Sequence, residues 1–442
     1  MKKLFFYIFL LLVVVCAVIL ITQDLFVRQI PYPAAQQDYS SEVSTGYNYD
    51  IEDQSIHVTQ SPIGNGSSEQ GNASDTSSPQ ESAESPQSSP FLQPDVTFSP
   101  DELAKYEGRY AYQFLNGDDA LLYKQIAASL DRHEDSIPLK ISEPKDALRI
   151  LTYVLADYPE FFWVDGGGTL ITTTRNGEVV GYSLKFIYNM DENQRAENQS
   201  KVDAAAEACL SQIDAGWSEY EKVKAVYDYI IKNTDYNINR SSDQTLYGVM
   251  VLGEGVCAGY AKATQYLLNK LGIFCTYVTG NATGRGSHAW NLVRIDGEYY
   301  YLDTTWGDPV FTGDNRSGDP VSYDFFCITT DDLLKTHEID TEWPLPECTA
   351  LKCNYYVRNN LYFDEYSYEA MLPVVRNALA EGGKTFSFRF SGQTAYRQAV
   401  SRLFEENEIF SIIRDARPEN SKEIDSLSYS LNGDLFIIKI FL

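Results

Sequence analysis

The apolar positions change period several times along the chain, and each change predicts an element. An unbroken apolar run extends from Leu4 to Ile21, close to the length of a helix that crosses a bilayer. No period follows it from Pro31 to Phe98. Helical spacing then covers Asp101 to about Arg132, and again Pro144 to Tyr158, where Pro159 stops it. The chain is expected to loop at Gly166-Gly167-Gly168. Thr169–Arg175 and Glu178–Ile187 alternate as strands joined by a turn at Asn176-Gly177.

The period returns to helical from about Val202 to Ile213. It is clearer after Ser218, where Ser218 and Glu221 have capping-box spacing and Val223, Val226, Tyr227, Ile230 and Ile231 share one face. A third helix starts near Cys257, with Tyr260, Ala263, Thr264, Leu267, Leu268 and Leu271 on one stripe and Gly272 as the stop. Phe274–Thr279, His288–Ile295 and Glu298–Asp303 read as strands, the last two flanking a short Asp296-Gly297 turn. Helical patterns recur at Tyr368–Glu381 and Thr394–Asn407, and a final hairpin is expected around Asn432-Gly433, between Ser426–Leu431 and Asp434–Phe441.

These patterns divide the chain into a signal anchor (1–30), a linker (31–98), an N-terminal α+β region (99–199), a core of helix followed by antiparallel sheet (200–320) and a C-terminal α+β accessory region (321–442). Met1, Lys2 and Lys3 precede the apolar run, and no small-residue cleavage site follows it. It therefore reads as an uncleaved anchor with the rest of the chain on the outer side of the cell membrane, in a single pass.

Composition supports the division. Residues 31–98 hold ten acidic residues and no Lys or Arg, so they bury too little apolar surface to offset the entropy of ordering and form a solvated tether. The net charge of -27 argues against nucleic acid as a partner. The 32 Tyr and 22 Phe supply aromatic area for one or two cores. Seven scattered cysteines, one of them Cys16 in the apolar run, make no disulfide framework. Cys348 and Cys353 either bridge or remain buried thiols. No CxxC pair or histidine cluster offers zinc ligands.

Candidate chemistry begins at Gly253-Glu254-Gly255-Val256-Cys257-Ala258-Gly259-Tyr260. A cysteine in the first turn of a helix meets unpaired N–H groups and the positive end of the helix dipole, which favour a thiolate and can receive a developing oxyanion. Alone, such a cysteine is more often structural, so its partner matters. His288 heads a strand in Ser287-His288-Ala289-Trp290-Asn291. If Asp296-Gly297 form a two-residue turn, Ile295 faces Glu298, Trp290 faces Asp303, and His288 and Asp303 become diagonal neighbours on one face, ~7 Å apart at the backbone. Asp303 is then expected to accept the Nδ1 proton of His288. Asp308 competes for the role but lies beyond the strand. Of the aromatic side chains nearby (Trp290, Tyr299, Tyr300, Tyr301 and Trp306), most are expected in the sheet core; Tyr300 falls on the face away from His288, and Tyr301 is the better site candidate.

Residues Gly255–Tyr260, His288–Asn291 and Tyr301–Trp306, in this order and spacing, resemble the transglutaminase-like superfamily, particularly its bacterial cell-surface members. The similarity covers about a quarter of the chain. It implies a papain-like α+β core and assigns catalytic roles to Cys257, His288 and Asp303. It also points to Gln244-Thr245-Leu246-Tyr247-Gly248, where Gln244 or Tyr247 is expected to line the site beside Trp290 and Tyr301.

The resemblance implies cysteine-dependent acyl transfer or hydrolysis on protein or peptide amides at the cell envelope, through a thioester and without a cofactor. Two alternatives stand beside it: a catalytically silent binding module of the same fold, as some relatives have become, and a papain-like wall hydrolase of another family. The second fits less well, because an aspartate on the neighbouring strand and the His-Ala-Trp-Asn setting follow the transglutaminase pattern.

Overall fold

The computed structural model describes residues 97–139, 145–175, 178–237, 244–284, 286–308, 321–418, 424 and 427–442. The expected membrane run at Leu4–Ile21, nearly all of the tether and the Asn176-Gly177 turn lie outside them. Among the described residues no helix is long and apolar enough to cross a membrane.

The described chain falls into two compact units, which divide at Glu192 and Asn193. The first holds helix α1 (Gly117–Asp131), strand β1 (Ser136–Leu139), helix α2 (Lys145–Asp157), and strands β2 (Val164–Arg175) and β3 (Glu178–Tyr188), in a sheet of order β1-β3-β2. The single helix expected over Asp101–Arg132 is broken. Gly108 and Gly117 adopt φ of +86° and +53°, and Glu107 and Leu115 between the turns are extended. The glycines at 166–168 do not loop out; they belong to β2, whose register against β3 slips between Val164 and Gly168. A side chain at Gly168 would press on Leu184 at 2.8 Å, so the strand crosses closely there.

The second unit carries the candidate chemistry. Helix α3 runs Glu192–Leu210, starting earlier than expected because its polar first half shows no apolar stripe. Helix α4 (Glu219–Asn233) has the predicted capping box: Ser218 Oγ accepts from Glu221 N, and Glu221 accepts from Ser218 N. Its apolar face, Val223 to Ile231, is buried. Strands β4 (Asp235–Tyr236) and β5 (Glu254–Gly255) pair in parallel and lead into helix α5 (Cys257–Lys270). Gly272, at φ +74°, ends that helix, with Ile273 N donating back to Leu268 O.

An antiparallel sheet follows: β6 (Cys275–Ala282), β7 (Gly286–Ile295), β8 (Glu298–Leu302), β9 (Phe326–Ile328) and β10 (His337–Ile339), in the order β10-β6-β7-β8-β9. The fold is α+β, as expected. Both edge strands come from beyond residue 320, because neither β6 nor β8 has a second neighbour nearer in sequence. The core therefore draws on the region expected to be accessory.

The remaining elements are β11 (Tyr362–Phe363), helix α6 (Tyr368–Ala380), β12 (Thr385–Phe390), helices α7 (Gln393–Val400) and α8 (Glu408–Ala416), and the hairpin β13 (Ser428–Asn432) and β14 (Ile437–Phe441). Their sheet runs β11-β12-β14-β13. The last turn is wider than the expected Asn432-Gly433 pair: Asn432 still faces Ile437, its side chain accepts from Leu435 N, and Phe436 takes φ +57°. Leu435 and Ile437 are buried in one apolar cluster with Val278, Trp290, Leu292 and Tyr301, so this hairpin shares a core with the strands that carry the site.

Candidate functional site

Cys257 is the first residue of α5. Val256 before it has no side chain able to cap, so no side-chain bond closes the start of the helix. Ala258 and Ala261 seat this end of the helix on Ala289 of β7, and the amide of Asn291 fixes it by donating to Ala261 O at 2.9 Å. These contacts use the face of β7 that carries Ala289 and Asn291. The opposite face carries His288, Trp290 and Leu292.

The turn that builds the pair is the one the sequence predicts. Asp296 and Gly297 both have positive φ, +51° and +90°, and Ile295 pairs with Glu298. The register runs on to Asn291 opposite Leu302, which brings Asp303 beside His288. Their side chains meet at 2.7 Å, His288 Nε2 to Asp303 Oδ2. The expected bond was from Nδ1. With Nε2 on the carboxylate, Nδ1 is the nitrogen left for Cys257, whose side chain acts on the ring by hydrogen bond and charge.

Asp303 is almost fully buried, and its other oxygen, Oδ1, accepts from the backbone N–H of Thr305 and of Trp306. Burial opposes its charge, but the charge of His288 and the hydrogen bonds from both imidazoles hold it well below the usual carboxylate range. For His288, burial pulls downward, while the Asp303 charge and hydrogen bond lift the imidazole to about 10. Asp308, the competing carboxylate, is engaged elsewhere: Tyr260 donates to its Oδ2 at 2.6 Å.

A second histidine joins the site, one to which the sequence attaches no role. His337, on β10 opposite Ala282, puts Nε2 3.3 Å from the same Oδ2 of Asp303, with Thr336 Oγ1 2.9 Å from its Nδ1. Room for it comes from small residues on β6. Trp290 lies across Gly280, where an added Cβ would meet its ring at 2.7 Å. Trp306 and Phe325 pack on the His337 ring at centroid distances of 4.6 and 5.4 Å. The only early signal for His337 is the scarcity of histidine, four in the whole chain.

The ligand atoms of His288, Asp303 and His337 lie within 4.8 Å of one another, close enough to hold a metal ion. A carboxylate oxygen only accepts, so both rings direct an N–H at Oδ2 itself. Their nitrogens therefore converge on that oxygen and not on a shared vacant point, and the group fits a hydrogen-bonded network better than a metal centre.

Trp290 is fully buried and stacks beside His288 at 5.8 Å between centroids. Tyr301 shares the His288 face but is enclosed in the apolar cluster with Trp290 and Phe325, so it is core and not lining. Tyr300, expected in the core, is fully buried. Gln244 is exposed and its carbonyl accepts from Lys262 of α5. Tyr247 is half-buried, close enough to Lys201 of α3 for the two to interact by charge. Cys348 and Cys353 are buried free thiols.

Residues 207–304 match the transglutaminase-like superfamily. Among curated proteins the chain is similar to the kyphoscoliosis peptidases of Mus musculus and Homo sapiens, 24% identical to each. The match covers 20% of this chain and only 16% of theirs. Among solved structures, a TGase is 19% identical over 41% of this chain and 53% of its own, with a TM-score of 0.24. A candidate cysteine protease from Cytophaga hutchinsonii is 19% identical over 32% of this chain and 63% of its own, with a TM-score of 0.21. Overlaps this small carry nothing beyond the family match.

Proposed function

Since residues 207–304 belong to the transglutaminase-like superfamily, whose members include cysteine peptidases and acyltransferases, we propose that the protein is a cysteine-dependent acyl-transfer enzyme acting on protein or peptide amides. One observation carries this reading. The one cysteine that is not buried, among those in the described residues, shares an imidazole with a buried, multiply hydrogen-bonded carboxylate.

The chemistry follows from the arrangement. The Cys257 sulfur attacks the carbonyl carbon of an amide, and the carbonyl oxygen becomes an oxyanion near the first-turn N–H groups of α5. His288 delivers its proton to the nitrogen as the carbon–nitrogen bond breaks, leaving a thioester on Cys257 and a free amine. In the second half, water or another amine gives its proton to His288, attacks the thioester and releases the sulfur. Water yields hydrolysis; an amine yields a crosslink. Asp303 keeps the ring oriented and balances its positive charge throughout.

With the apolar run at residues 4–21 as an anchor, the enzyme would work at the outer face of the cell membrane on envelope proteins or peptides. In support stand the length of that run, its cationic start and the acidic tether that follows. Full-length protein is expected in the carbonate-washed membrane fraction, and recovery in the soluble fraction would remove the anchor from the account.

The catalytic proposal is tested by intact-protein mass spectrometry after mixing with glutamine-containing peptides, alone and with a primary amine. A thioester adduct on Cys257, with product formation lost in Cys257→Ala, is the expected result. Equal turnover by Cys257→Ala would refute it. Failure to form any adduct or product across a broad peptide set would favour the silent binding module.

A further inference from the structure

Asp303 Oδ2 sits between two imidazoles, with His288 at 2.7 Å and His337 at 3.3 Å. Hydrogen counting places a proton on one nitrogen of the second ring. Oδ2 of a carboxylate can only accept, so Nε2 of His337 donates to it, while Thr336 Oγ1 lies 2.9 Å from Nδ1 and 3.5 Å from the Leu333 carbonyl oxygen. His337 is 4% exposed, packed by Trp290, Trp306 and Phe325, and stands on an edge strand anchored to β6. It is held as firmly as the groups it touches.

We propose that His337 is a positioning residue of this site: its Nε2–H holds the Asp303 oxygen at the point where His288 meets it. The inference rests on the acyl-transfer reading above. The backbone N–H groups of Thr305 and Trp306 fix Oδ1, but two bonds to one oxygen leave the carboxylate free to tilt about that end. The His337 bond removes this freedom. The His288 ring, pinned through Nε2, then keeps Nδ1 facing Cys257 through the whole reaction. The titratable side chains that face this carboxylate group are His288 and His337 on Oδ2, Tyr227, whose hydroxyl donates to the Asp303 carbonyl, and Cys257 across the His288 ring.

Two substitutions separate position from bulk. Phenylalanine fills the same space at residue 337 without a donor, while the glutamine amide can place an N–H near the former Nε2. Alkylation of Cys257 by iodoacetamide is measured across pH for wild type, His337→Phe and His337→Gln. At about pH 6 the Phe variant is expected to react about tenfold more slowly, the scale of one lost hydrogen bond to a charged group, and the Gln variant to recover most of the wild-type rate. Superposable wild-type and Phe profiles would overturn the inference and leave the acyl-transfer reading intact. So would a faster Phe variant, which would mean that His337 competes with His288 for the oxygen.

A wild-type Cys257 no more reactive in acid than a free thiol would sink the acyl-transfer reading instead. The inference keeps its own readout in that case: nitrogen-15 spectra of histidine-labelled Cys257→Ala protein should show His337 protonated on Nε2. An Nε2 of His337 without a proton would overturn it whatever the thiol does.

Discussion

Asp303 has each carboxylate oxygen occupied twice, Oδ1 by backbone N–H groups and Oδ2 by two imidazoles. This saturation lets a charge exist at about 1% exposure, where a bare carboxylate would be protonated. It also gives the pair a defined pH dependence. The depressed Asp303 contributes stability that is present above its unfolded value near ~4 and is lost as pH falls through the folded value. The raised His288 contributes stability that is complete below its unfolded value near ~6.5 and is lost as pH rises through about 10. Both contributions are complete only between those unfolded values. In Asp303→Asn the difference in unfolding free energy from wild type should therefore be largest near pH 5 to 6 and shrink toward about pH 10; denaturant titrations across pH measure it, and a difference that grows with alkalinity would contradict the pairing. The same variant should lose roughly 10⁴-fold in turnover, since an amide N–H facing Nε2 forces the wrong tautomer.

The elements explain why part of this site was legible in advance. Cys257 announces itself through a helix start with glycines around it, and the His288–Asp303 pair follows from a turn whose two residues must both take positive φ. Such local signals survive in sequence. His337 gives no such signal, because β10 joins β6 from far along the chain and nothing in Thr336-His337-Glu338 names its partner. The Nδ1 expectation failed for a related reason: strand register sets which residues meet, while the ring nitrogen is chosen by the direction from which Cys257 approaches, and that depends on how α5 docks on β7.

Gly280 is the element-scale point of weakness. A methyl group there would lie 1.9 Å from the Glu338 carbonyl oxygen of β10 and 2.7 Å from the Trp290 ring. Backbone cannot yield as a side-chain tip can, so Gly280→Ala should lower stability by about 3 kcal/mol and displace β10 with His337. Urea unfolding reads the first effect, and an unchanged midpoint would show that the strands are less closely set than described.

At the scale of the whole molecule, the last stretch of chain is part of the machinery that supports the site. Leu435 and Ile437 pack in the cluster that backs Trp290 and Tyr301, Lys439 pairs with Asp324 at 2.7 Å, and Arg389 forms a buried ion pair with Asp332. The sequence alone suggested a separate accessory region, because strand pairing across long separations leaves no period in the residues that make it. The molecule also sorts its thiols. Burial pushes Cys209 and Cys348 up to about 12 and raises Cys275, Cys327 and Cys353 as well, whereas Cys257 alone among the six cysteines of the described residues is partly exposed. One accessible sulfur is thus set apart from five buried ones.

The most direct measurement is peptide mapping of the folded protein after brief iodoacetamide treatment in mildly acidic buffer, with His288→Ala alongside. Among the six cysteines of the described residues, label is expected on Cys257 and on none of the other five, falling sharply when the imidazole is removed. Label spread evenly over several cysteines, or an unchanged rate at residue 257 without His288, would contradict it.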